Sequence, residues 1–183
     1  MATDENSIQS AIRQARQGDT DSVGRLYDHF SQKIYRFFVF RVKTVEEAED
    51  LTQTVFLKML RSLPRYRQKA GASFSAWLFQ IARFTLIDHY RTNREIVSLD
   101  MVENLASPQL QSAPVPVSLD RRVKQVQQLV KQLPEAQQTV LHLSFVEEMS
   151  PREIARAMRV SVISVRVWKH RALKRLNQML NII

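Results

Sequence analysis

Cysteine is absent from the 183-residue chain, which removes disulfides, thiol catalysis and Cys-ligated zinc together. Glycine occurs only three times, at Gly18, Gly24 and Gly71. No sustained apolar–polar alternation is bounded by hairpin turn residues either, and the two deficits argue against a β-protein. No apolar run approaches the roughly eighteen residues that a membrane-spanning helix needs. The start, MATDENSIQS, has neither the basic flank nor the apolar core of a signal peptide. The four histidines, His29, His89, His142 and His170, are scattered without metal-ligand spacing, and there is no glycine-rich phosphate loop. Asp88 and His89 are adjacent and so project from different sides of a helix, which is no catalytic arrangement. An enzyme is therefore set aside, with no cofactor and no metal expected, and the chain reads as a soluble, cytoplasmic protein.

What is present is a globular composition: 44% hydrophobic residues and 8% aromatic ones exclude wholesale disorder. The length admits one full domain or two small ones. The formal net charge of +9 points to a polyanionic partner. Its distribution says more. Residues 1–57 carry seven Lys/Arg against nine Asp/Glu, and residues 58–94 carry eight against the single Asp88. Residues 95–120 carry no base against four acids (Glu95, Asp100, Glu103, Asp120), and residues 121–183 carry twelve bases against four acids. Two basic blocks thus flank an acidic one, a segregation not expected of a uniformly solvated basic surface.

Apolar spacings of three and four dominate, as in Val126, Leu129, Val130 and Leu133 or Leu51, Val55 and Met59. They predict helices over about 6–17, 21–42, 45–63, 74–92, 120–132, 135–146, 151–158 and 162–180, an all-α fold. Residues 95–119 hold Pro108, Pro114 and Pro116, half of the chain's six prolines. Proline denies a helix its backbone donors, so this acidic stretch reads as a linker. It divides a domain at 1–94 from one at 120–183.

In the second domain, Ser150, Pro151 and Glu153 predict a capping box with proline at the first helical position. Ile154, Ala155 and Met158 give that helix an apolar face, a short Arg159-Val160 turn follows, and Ser161 can cap a long basic helix. This order makes a helix-turn-helix. At 100° per residue, Val165, Ala172 and Leu176 share the packing side, flanked by Trp168 and Met179. Ile163, Arg166, Val167, His170, Arg171 and Lys174 lie opposite, where a recognition helix meets the major groove. Arginine pairs bidentately with guanine, whereas Ile163 and Val167 suit thymine methyls. The plainer alternative is an amphipathic helix with a solvated basic face. Lys169 points awkwardly into the packing side, which it can leave by snorkelling or by a rotation that packs Trp168 instead.

In the first domain, residues 48–63 are apolar on more than one side: Leu51, Val55 and Met59 form one stripe, Phe56 and Leu60 another near Gln53. Either the helix is central to a core, or one stripe, edged by Asp50, Gln53 and Lys58, docks a large protein. A loop carrying Arg65, Tyr66, Arg67 and Lys69 then leads into a helix capped by Ser73. Its inner face is expected to hold Phe74, Leu78, Ile81, Ala82 and Thr85; its outer face Phe79, Arg83, Ile87, Tyr90, Arg91 and Arg94. Cations interleaved with aromatics suit single-stranded nucleic acid, because cations attract phosphate and aromatic faces stack on unpaired bases. The plainer alternative is a helix covered by its neighbours with arginines at the rim.

The order GDTDSVGRLYDHF, AEDLTQTVFLKML, SFSAWLFQIAR…DHYR, an acidic linker, LPEAQQTVLHLSFVEEMSPREIA and a basic helix resembles the small two-domain, extracytoplasmic-function sigma factors of bacterial RNA polymerase. The resemblance covers about residues 8–180, and its two patterns, DLxQxxF and LPxxxxxVxxLxxxExxSxxEIA, are specific in combination. It implies that Asp50, Leu51, Gln53 and Phe56 hold the polymerase core. It implies that Arg65, Arg67, Lys69, Phe79, Arg83, Tyr90 and Arg91 recognise and melt the minus-ten element. By the same resemblance, the linker threads into the polymerase's RNA path, and Ser164, Arg166, Val167, His170, Arg171 and Lys174 read the minus-thirty-five element. The implied mechanism traps unpaired bases and makes no bonds. An anti-sigma protein is the expected regulator, and it could hold the factor at the membrane.

Several positions depart from that family's pattern. Thr54 stands where an acidic residue is usual, Phe84 replaces a common asparagine, and Arg159 occupies the usual turn glycine. Arg159 therefore calls for a modified turn or a non-glycine residue with positive φ. Ile163 replaces a small residue, and Trp168-Lys169 a frequent Arg-Leu pair. The rival reading is a stand-alone helix-turn-helix regulator that needs no polymerase. The acidic linker and the basic, aromatic stretch at 65–94 speak against it.

Overall fold

A computed structural model of the chain describes residues 2–67, 73–100 and 121–180. The first lobe is built from α1 (Ala2–Ala15), α2 (Thr20–Val39), α3 (Val45–Ser62) and α4 (Phe74–Asp100). The second comprises α5 (Arg121–Lys131), α6 (Glu135–Phe145), α7 (Pro151–Met158) and α8 (Val162–Leu180). All eight expected helices are present, and one 3₁₀ turn, Leu63–Arg65, extends α3. The fold is all-α.

Local chemistry sets the helix starts. Gly18, at φ 96°, turns the chain out of α1. Asp19 then caps α2 by accepting from the Ser22 backbone at 2.9 Å, and the hydrogen bonds from Ser22 hold its carboxyl below the usual range. Thr44 caps α3, accepting from Glu47 N at 3.1 Å, and Ser73 caps α4, accepting from Ala76 N at 3.2 Å. Ser150 and Glu153 form the expected capping box on α7. Burial would raise the Glu153 carboxyl, but hydrogen bonds from Ser73 and Ser150 carry its pKa below the ordinary value. Ser73 precedes α4, so this contact also ties one lobe to the other.

One end differs from expectation. Instead of ending near 92, α4 continues to Asp100, into the stretch that reads as linker from 95. Residues 93–100 contain neither proline nor glycine, and the first breaker is Pro108. The rest of that linker, 101–119, lies outside the described residues.

Leu26, Ile34, Phe37, Phe38, Met59 and Leu78 are the fully buried heart of the first lobe. Arg41, at the end of α2, is buried with them: it donates to the Phe37 carbonyl and lies 4.1 Å from the Phe37 ring centroid. Burial lowers its pKa to about 10, which leaves it charged at neutral pH. The second lobe has a small core of its own: Leu129, Leu133, Leu141, Ala172 and Leu176. Leu143, Ile154, Ala157 and Met158 belong instead to the apolar cluster that contains Phe37 and Phe79. The lobes meet chiefly through α7 against α4.

Candidate polymerase and nucleic-acid interfaces

On α8 the structure separates charge from packing. Val165, Ala172 and Leu176 are buried, whereas Arg166, Val167, His170, Arg171 and Lys174 are exposed along the other side. Ile163 is 72% exposed and Val167 38%, an apolar pair one turn apart among cations. Ser164 is half-buried; its backbone N–H donates to the Ser161 hydroxyl at 3.0 Å, and the two hydroxyls lie 2.9 Å apart. Ser164 therefore serves the helix start as well as standing at the edge of the face. The helix presents this face from a turn in which Arg159 has φ 55° and ψ 47°. Of the two outcomes expected there, a modified turn or a non-glycine residue with positive φ, the structure has the second. Lys169 leaves the packing side by laying its ammonium 4.4 Å from the Phe145 ring centroid, while Trp168 packs, half-buried, against the core.

On α3 the four residues expected to meet polymerase divide in two. Asp50 and Gln53 are exposed, whereas Leu51 and Phe56 are buried. At 100° per residue, Leu51 and Phe56 form the two edges of the buried arc that holds Val55 and Met59. The open arc carries Asp50, Gln53, Leu57 and Leu60, with Leu57 56% exposed. Tyr27 of α2, itself part-exposed, leans on Phe56 with ring centroids 4.7 Å apart. Phe56 thus supports the rim of this surface from beneath. Leu57 was missed in the sequence, although its spacing of seven from Asp50 and four from Gln53 places it on their face.

The basic stretch after α3 is pinned by an aromatic cluster. Tyr66 is buried against Trp77 and Phe74, centroids 4.6 and 5.3 Å away, and burial raises its hydroxyl pKa. Its neighbours Arg65 and Arg67 both remain exposed. Lys69 lies outside the described residues. Farther along α4, Arg91 is exposed. Tyr90 is part-exposed, but its hydroxyl is committed, donating to the Arg41 carbonyl at 2.6 Å.

Phe79 requires a correction. It was expected on the outer face of α4 and is only 1% exposed, meeting Phe37 edge-on at 5.7 Å. The expectation gave α4 a single buried side; Phe37 of α2 and His142 of the second lobe together bury another. Arg83, also expected outside, is half-buried there: it donates to the Met158 carbonyl at 3.4 Å and its Nε lies 3.9 Å from Glu135. The outer face of α4 is therefore open toward Arg91 and covered toward Phe79.

None of these sites brings together acid, base and nucleophile. Among the described residues, no three His, Asp or Glu side chains are placed to hold a metal, and no helix is long and apolar enough to cross a membrane.

Comparison with known proteins accounts for both lobes. The model of sigma-70 region 2 matches residues 26–96, and that of sigma-70 region 4 matches residues 124–176. The extracytoplasmic-function (ECF) RNA polymerase sigma factor BldN of Streptomyces coelicolor is 30% identical over 97% of this chain and 67% of its own length. SigW of Bacillus subtilis, also an ECF sigma factor, is 27% identical over 96% of this chain and 98% of its own. Among solved structures, CnrH in complex with the cytosolic domain of CnrY superposes with a TM-score of 0.70 at 20% identity, covering 96% of this chain and 98% of that one. The sigma factor RpoE of Bartonella quintana, in complex with the anti-sigma factor NepR, gives 0.69 at 20%, covering 87% and 96%. These structural likenesses are likenesses of fold.

Proposed function

The chain belongs to the extracytoplasmic-function sigma factors, which bind RNA polymerase and recognise promoters, and from that premise we propose how its surfaces divide the work. The exposed arc of α3 docks on the polymerase core through Asp50, Gln53 and Leu57, with Leu51 and Phe56 setting its shape. The exposed face of α8 reads the minus-thirty-five duplex. Arg166 and Arg171 supply guanine and phosphate contacts, and Ile163 and Val167 supply contacts to thymine methyls. Arg65, Arg67, Lys69 and Arg91, with the exposed ring of Tyr90, hold the melted minus-ten strand. The acidic linker follows the polymerase's RNA path.

The observation that carries this reading is the sorting on α8: every cation called for duplex contact is exposed, on a helix whose opposite side is buried. A solvated basic face would show the same exposure of arginine and lysine. It would gain nothing from Ile163, the most exposed of the large apolar residues described. Ile163 and Val167 together place apolar surface among the cations, and thymine methyls in the major groove suit it.

Opening follows from differential binding. A duplex offers its unpaired base faces to no one, whereas a melted strand offers both phosphates and bases. A surface that binds only the melted form lowers the free energy of opening without making or breaking covalent bonds. We further propose that an anti-sigma protein covers these faces when the factor is idle. The complex formed by its structural relative RpoE with NepR supports that expectation.

The test is transcription and permanganate probing with sigma-free bacterial core polymerase, this chain and fragments of its genome. Discrete starts with reactive thymines upstream, dependent on both proteins, are expected. Duplex binding by the chain alone at palindromic sites, unaffected by core, would instead establish the stand-alone regulator.

A further inference from the structure

Two of the positions at which this chain departs from its family's pattern touch each other. The Arg159 guanidinium, in the helix-turn-helix turn, lies 5.0 Å from the ring centroid of Phe84 on α4. Gln80, one turn back on α4, faces the same group and, with its amide oxygen turned inward, accepts from Nη2 at 3.2 Å. Arg83 reaches the opposite way, to the Met158 carbonyl at the end of α7. Arg159 has φ 55°, a conformation that suits glycine and strains other residues. The guanidinium of this left-handed residue finds its partners on the other lobe.

The contact hides a functional surface. Arg83, expected to hold the single strand, lies against the second lobe, and Phe84 stands under Arg159; Phe79 itself is core, in one cluster with Ile154 and Met158 of α7. Reading two promoter elements requires the opposite arrangement. Elements some twenty-five base pairs apart are about 85 Å apart along the duplex. Residues 101–120, fully extended, reach about 70 Å. A chain that contacts both elements must therefore part its lobes.

We propose that this chain restrains itself: stacking of Arg159 on Phe84 latches the helix-turn-helix turn to α4 in the free protein, covering part of the single-strand surface until polymerase and DNA draw the lobes apart. The latch rests on the promoter-binding reading for its purpose, but its existence does not.

The absence of cysteine makes the test direct, because Gln32→Cys on α2 and Gln178→Cys on α8, both exposed, can be spin-labelled without background. Pulsed-dipolar distances in the full chain should be short and narrow. Arg159→Gly, which suits the left-handed turn, and Phe84→Ala should each raise the ratio of open to closed molecules by about three- to thirty-fold, with no further gain when combined. Affinity for a fluorescent oligothymidine strand should rise in Arg159→Gly although a positive charge is lost. A broad distance distribution in the unaltered chain, or an unchanged one in folded Arg159→Gly, would overturn the latch. Shifted distances in a protein that never binds polymerase would leave the latch standing and remove the promoter reading.

Discussion

His142 of α6 meets Phe37 of α2 edge-on, with ring centroids 5.5 Å apart and planes at 81°. An imidazole from the second lobe is thereby set into the aromatic core of the first, with Phe79 at 6.4 Å. Its Nε2 lies 3.5 Å from Glu147, at the limit of a hydrogen bond, and both side chains are shielded from solvent. Burial lowers the His142 pKa; Glu147 acts in the raising direction, and Arg41 and Arg36 add to the lowering. The ring is therefore neutral at physiological pH, and the contact with Glu147 is not an ion pair there.

This placement makes stability sensitive to mild acid. Folded His142 holds a proton less readily than the unfolded residue, whose ordinary value is 6.5. Its contribution is complete above that pH and is lost as the pH falls below it, toward the lowered folded value. Thermal midpoints from pH 7.5 to 5.5 should fall more steeply for the unaltered chain than for His142→Leu. Equal slopes would contradict the assignment.

Leu57→Glu should leave the fold within about 0.5 kcal/mol of the unaltered chain, because the side chain stands out from α3. Affinity for the polymerase core should drop by about tenfold or more if Leu57 lies within the docking surface. Chemical denaturation and a core-binding titration measure the two effects separately.

Arg171→Ala should weaken binding of a minus-thirty-five duplex by about 1–3 kcal/mol and leave core binding intact. Loss of both would mean that α8 has been given the wrong role. Replacing thymine by uracil in the same duplex removes only the methyl groups. That exchange should weaken the unaltered chain more than it weakens Ile163→Ala.

Phe79→Ala should behave as a core truncation. With the ring buried against Phe37, the expected loss is about 3–5 kcal/mol of stability, seen as a lowered midpoint before any DNA is added. A variant of normal stability with a selective loss of single-strand binding would restore Phe79 to the outer face.

Helix positions were legible because their signals are local. Ser150 and Glu153 form the capping box, Ser161 and Ser73 act as caps, and the buried and exposed sides of α8 fall where a 100° step puts them. Phe79 was misread for a non-local reason. The buried side of a helix can be counted along its own sequence, but a second buried side depends on what packs there, here Phe37 and His142, 42 and 63 positions away. The stacking of Arg159 on Phe84 was hidden for the same reason. Each position stood out alone, and only the fold brings the two together. Leu57 is different, since its spacing from Gln53 places it on the same face, while the apolar stripes of Leu51, Val55 and Met59 and of Phe56 and Leu60 are the stronger signal along α3. The end of α4 was set too early because acidity was read as linker from Glu95, while helix-breaking residues begin only at Pro108.

The most direct measurement is co-elution of the purified chain with sigma-free bacterial core polymerase on a sizing column. The account predicts a stoichiometric complex, lost in Leu57→Glu and retained in Arg171→Ala. A folded chain that binds duplex DNA, is free of any inhibitor and still never co-elutes with core would contradict it.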